Sequence, residues 1–129
     1  MSDRLHLIVT SGTREKLQMA GMIAAVSAAT GTEVSVFLSM NALGYFLKGA
    51  SEAAPNEGEL GRLMEAKHAP RFTDLFKQAV ELGGAKLYPC SMAMDVLAVS
   101  ESDLDAALEK PMGLTRFLSE AAGSQVLTF

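Results

Sequence analysis

The chain contains one cysteine, Cys90, set in the run Lys-Leu-Tyr-Pro-Cys-Ser-Met-Ala-Met-Asp-Val-Leu from Lys86 to Leu97. An apolar, strand-like run ends at Pro89 and a helix start follows it. The thiol therefore falls at the carboxyl end of a strand, where open α/β sheets place their ligands. The N–H groups at the head of that helix, around Met92, Ala93 and Met94, would face the sulfur. A thiol beside a positive helix end ionises more readily, and the thiolate is the nucleophile. Cys90 is thus the candidate catalytic residue, with Ser91, Met92, Ala93 and Met94 as candidates for its pocket or for stabilising its charge. Position alone leaves a second reading open, that of a small buried hydrophobe, which is how most free cysteines behave.

The rest of the chemical inventory narrows the options. With no second cysteine, an intramolecular disulfide cycle is excluded, and Cys90 acts alone or with a thiol from a partner. Of the two histidines, His6 lies inside the first strand and points away from its end, which makes it structural. His68 stands beside a loop and is the only other candidate for a base. One cysteine and two scattered histidines lack the local pairing of a zinc site, so no metal is expected. Ser11, Gly12 and Thr13 form a tight turn before a helix, a place that can cradle an anion, and they are further candidates to line the crevice at Cys90 or stabilise its thiolate. Neither a glycine-rich dinucleotide fingerprint nor a P-loop lysine accompanies them, so Thr13 reads first as a helix cap and no cofactor is expected. A nucleotide- or flavin-binding module would use this same turn.

These residues need a frame, and 129 residues suit one domain with a real core. Apolar residues make up 49% and charged residues 20%, the balance of a packed globular chain. A formal charge of -4 with no Lys/Arg cluster argues against nucleic acid. The amino terminus lacks the pattern of a signal peptide, and no apolar run would span a bilayer. A single cysteine suits a reducing cytoplasm.

Strand and helix signals alternate along the chain. Leu5 to Thr10 is a short apolar run without strict polar alternation, the mark of a central parallel strand. A helix from Arg14 to about Ala29 follows, ended by Gly31. Its residues Met19, Met22, Ile23 and Val26 form one apolar stripe and Leu17, Ala20, Gly21, Ala24 and Ala28 another, so it wants cover on two sides. The sheet supplies one, and a second copy of the chain is the simplest supplier of the other. Glu33 to Leu38 is the next strand, and Asn41 is expected to cap a short helix through Leu47. Residues 50–61, rich in Glu, Ala, Gly and Ser, read as a mobile excursion and a fair lid. A weak helix is expected from Glu59 to Lys67. Arg71 to Leu82 is clearly amphipathic, and Ala85 to Pro89 is the strand that delivers Cys90. Ser102 should begin a small helix burying Leu104, Ala107 and Leu108, and a short strand is possible near Met112 to Leu114. Leu114, Phe117, Leu118 and Ala121 make a last helical stripe, and Gln125 to Phe129 a closing strand. The pattern predicts a three-layer α/β/α sandwich with a mostly parallel sheet of four or five strands.

The run Cys-Ser-Met-Ala-Met-Asp-Val-Leu, with its Gly-Gly-Ala-Lys-Leu-Tyr approach strand and the short acidic helix after it, resembles the signature of the DsrE/DsrF-like proteins. The first strand with its small-residue loop, the strand from Val34 to Leu38 and the final Gln-Val-Leu-Thr-Phe fit the same layout. Ala93 stands where that signature has a second serine, and Ala98 where it has a glycine. The resemblance implies a cytoplasmic, homo-oligomeric sulfur carrier. It would hold sulfane sulfur as a persulfide on Cys90 and exchange it with a TusA-like or rhodanese-like protein, as a sulfurtransferase-like relay. A non-catalytic assembly or regulatory subunit with an unreactive Cys90 is the competing reading.

Overall fold

The computed structural model describes residues 3–50 and 53–129. The strands are β1 (Arg4–Val9), β2 (Glu33–Leu38), β3 (Lys86–Pro89) and β4 (Gln125–Thr128). They form one parallel sheet in the order β3-β2-β1-β4. Between them run α1 (Arg14–Ala29), α2 (Met40–Leu43), α3 (Glu59–Ala66), α4 (Phe72–Gly83), α5 (Ser91–Leu97) and α6 (Leu114–Glu120).

Register sorts the side chains between two layers. His6 pairs with Ser35, and Ile8 with Phe37, which in turn pairs with Tyr88. Paired residues of parallel strands share a face, and Phe117 of α6 packs its ring on His6, Phe37 and Tyr88. The other face carries Leu5, Leu7, Val9, Val34, Val36, Leu38 and Leu87, all buried, and meets the α1–α4 layer. Along α1 the stripe of Leu17, Ala20, Gly21, Ala24 and Ala28 is buried, while Met19, Met22 and Val26 remain exposed. The expected three-layer α/β/α architecture is therefore present, with four strands among the described residues.

His6 keeps a structural place. It is buried, and its Nδ1 lies 2.6 Å from Ser124 Oγ. Burial, with Arg4 nearby, holds its pKa below the ordinary 6.5.

Three local expectations change. Asn41 does not cap the short helix: Ser39 occupies the N-cap position and α2 begins at Met40, whose φ of 51° is left-handed. The strand near Met112 shrinks to one parallel bridge between Cys90 and Met112, because that segment touches the sheet for a single residue. The helix at Ser102 is only the 3-10 turn Glu101–Asp103, which its own capping box satisfies; it buries Leu104 but leaves Ala107 and Leu108 half-buried.

The stretch expected to be mobile is held from Ala54 onward; Ser51 and Glu52 lie outside the described residues. Ala54 is buried, and Pro55 O accepts the N–H of Arg14 at 2.9 Å. Glu15 reaches across to accept the N–H groups of Glu57, Gly58 and Gly61 at the head of α3. Among the described residues, no helix is long and apolar enough to cross a membrane.

Candidate functional site

Pro89 ends β3 because it has no N–H for a ladder bond, and α5 starts two residues later. Cys90 fills the N-cap position between them, with extended backbone at φ -71° and ψ 121°. Its Sγ takes the place usually held by a serine or aspartate oxygen, accepting the N–H of Ala93 at 3.5 Å. Its own N–H donates to Leu38 O at 2.9 Å and its carbonyl accepts from Met94 N at 3.0 Å. Across the other side, Met112 N donates to Pro89 O and Ser91 N to Met112 O, so residue 112 is laced to the cysteine turn.

The sequence-predicted neighbours divide cleanly. Ala93 and Met94 are buried beneath the thiol, whereas Ser91 and Met92 stand on the surface. Met92, Val96 and Leu97 leave an exposed apolar fringe along α5. The thiol itself is only 4% exposed, and Cys90 lines none of the four open cavities, which lie elsewhere. Among the described residues, no group of three His, Cys, Asp or Glu side chains is arranged to hold a metal.

Ser11, Gly12 and Thr13 follow β1, two strands from Cys90, or about 10 Å at the usual strand spacing. Between the two places sits α2, which packs on α5 and abuts the loop: a Cβ on Gly12 would fall 2.8 Å from Asn41 Cβ. The loop's hydroxyls and the Thr13 N–H are already engaged within the chain. Thr13 holds the N-cap position of α1, yet its hydroxyl donates to Glu57 Oε1 at 2.7 Å instead of capping, and Thr13 N donates to Ser11 Oγ. His68 is exposed and lines a cavity with Gln18, Glu65 and Arg71, in the α1, α3 and α4 corner rather than at α5.

One residue escaped the sequence reading. Leu38 lies in register with Pro89 and accepts the Cys90 N–H, so the next rung sets Ser39 beside Cys90. Ser39 is 3% exposed and its hydroxyl does not cap α2. Met40, held at positive φ, follows it directly. Strand register was the available signal, but it requires knowing that β2 pairs with β3.

A parallel three-layer domain with a lone cysteine capping the helix after its edge strand defines the class. Within that class, the chain belongs to the DsrE/DsrF/DrsH-like family, whose sequence profile matches residues 50–129. Its fold is similar to that in the crystal structure of the YchN protein from E. coli, with a TM-score of 0.64 over 100% of both chains at 16% identity. Comparison with curated proteins gives no match.

Proposed function

We propose that the protein is a sulfur carrier that holds sulfane sulfur as a persulfide on Cys90. Family membership supports a role in sulfur relay in general terms. The observation that carries the finer reading is the Ala93 N–H directed at Sγ from the head of α5. A donor in that position would meet the negative charge that sulfur carries during exchange. In the transfer step the Cys90 thiolate attacks the outer sulfur of a donor persulfide. A new S–S bond forms on Cys90, the donor's S–S bond breaks, and its electron pair leaves on the donor sulfur as a thiolate. No net oxidation occurs, so no redox cofactor is required. Delivery is the same step with an acceptor thiolate attacking the outer sulfur on Cys90. TusA-like or rhodanese-like proteins fit as donor and acceptor, because each brings the second sulfur that this chain lacks.

A thiol this enclosed must become reachable for exchange. The segment at Met112 is the part to move, since only the two backbone hydrogen bonds of one isolated bridge hold it to the cysteine turn. Ser39, on the rung next to Cys90, is the nearest hydroxyl-bearing residue of β2's end to serve the charge of the persulfide. The exposed Met19, Met22 and Val26 stripe supports a homo-oligomer; a scattering mass of one chain at micromolar concentration contradicts that part. The competing reading, an assembly or regulatory subunit with an inert Cys90, draws on the same burial of the thiol. Incubation with polysulfide separates them. Mass spectrometry should find one added sulfur atom on Cys90, absent in Cys90→Ser, whereas an unmodified Cys90 supports the subunit.

A further inference from the structure

A second open cavity, of about 410 Å³, lies between α1, the end of α3 and the head of α4, remote from the cysteine turn. Gln18 of α1 lines it, is 7% exposed and makes no hydrogen bond. Among the described residues, no side-chain polar atom fully shut from solvent lacks a partner, so the Gln18 amide opens onto this space. On the opposite wall, the side chains of Arg71 and Asp74 also have neither ion pair nor hydrogen bond among the described residues. Arg71 is the N-cap residue of a twelve-residue helix whose first turn has no side-chain cap, which adds N–H donors and the positive end of the helix dipole. Arg14 is already neutralised by Glu65 at 2.7 Å.

The unspent groups are therefore a cationic donor end, a carboxylate one turn along, an amide that both donates and accepts, and the exposed His68 imidazole at the rim. A simple oxyanion would meet the unpaired carboxylate of Asp74. A simple cation would meet Arg71 and the helix head. We infer that this cavity binds a small zwitterion carrying a carboxylate, an ammonium and a peptide-like amide, of the size of a di- or tripeptide. Its carboxylate would meet Arg71 and the first-turn N–H groups of α4, its ammonium Asp74, and its amide Gln18. The volume falls within the range of small-molecule sites.

Glycylglycine titrated into 15N-labelled protein tests this by NMR. Saturable shifts are expected at the Gln18 side-chain amide and at the Thr73 and Asp74 backbone N–H groups. Arg71→Ala, at an exposed and unpartnered side chain, should weaken binding about tenfold, as should Gln18→Met. Sodium acetate and ethylammonium chloride, each carrying half of the charge pattern, should bind at least about tenfold more weakly. Cys90→Ser should bind glycylglycine unchanged, so failure of the sulfur-carrier reading leaves this site standing. Acetate binding as tightly as the dipeptide, binding unaffected by both variants, or no saturable shift at these residues would each overturn it.

Discussion

At the head of α1, Thr13, Arg14 and Glu15 send directed polar contacts into the segment from Ala54 to Glu65, whereas at the head of α5 the buried sulfur of Cys90 receives one N–H. Both places lie beyond the carboxyl ends of strands, where this architecture concentrates chemistry. At the head of α1 the side chains of Thr13, Arg14 and Glu15 are each bonded to the segment that follows Ala54, which holds that segment in place. In the cysteine corner the N-cap residue Ser39 makes no cap bond and Met40 stands at positive φ. Unmet groups and backbone strain of this kind gather where a protein acts rather than where it merely holds. The comparison teaches that a well-bonded loop is the stabilising device, and the sparsely bonded one is the candidate for exchange.

The largest effect should come from Met112→Ala. Met112 is 4% exposed and bridges Cys90, so truncation leaves a cavity over the thiol and should cost about 2–5 kcal/mol in denaturant unfolding. The same variant should alkylate faster at Cys90, measured by intact mass against time. Unchanged alkylation with lost stability would mean that Met112 supports the fold without gating the sulfur.

Glu15→Gln should act on the other corner with a smaller effect. The Glu57 N–H above all, then those of Gly58 and Gly61, hold the Glu15 carboxyl below its ordinary value of 4.5. A depressed folded-state pKa means that the stabilisation is fully present above that value and is lost as pH falls through the folded one. Thermal unfolding should therefore place Glu15→Gln below the parent protein at neutral pH, with the gap closing under acid conditions. Sulfur loading on Cys90 should not change in this variant.

Gly61→Ala should be the mildest globally. A Cβ there would fall 2.6 Å from the Glu15 carboxylate, which must swing away. The helix gains about 0.5–1 kcal/mol from replacing glycine, offsetting the lost contacts. Hydrogen exchange should nevertheless quicken at Glu57 and Gly58, and unchanged exchange would refute the tether.

How far these corners could be read from residues alone follows from the range of the signals. The helix Arg14–Ala29 emerges with the bounds read from its apolar stripes and following glycine, and Phe72–Gly83 from its period, because these cues are local. Cys90 as a helix head was legible for the same reason. The Glu15 tether was not, since its carboxylate meets Glu57 and Gly61 only after the chain has passed through β2 and α2. The excursion at 50–61 consequently read as mobile, although its polar composition also suits a loop bonded to a distant helix start. Ser39 stayed hidden because its neighbour is set by strand order, and Met40 because a left-handed methionine contradicts ordinary propensity.

The central claim rests on Cys90 accepting sulfur. Intact and peptide mass spectrometry after incubation with polysulfide, followed by exposure to a thiol acceptor, tests it most directly. The account predicts one sulfur atom added at Cys90, released to the acceptor, and absent in Cys90→Ser. A Cys90 that remains unmodified while the fold is intact, or labelling that persists in Cys90→Ser, would contradict it.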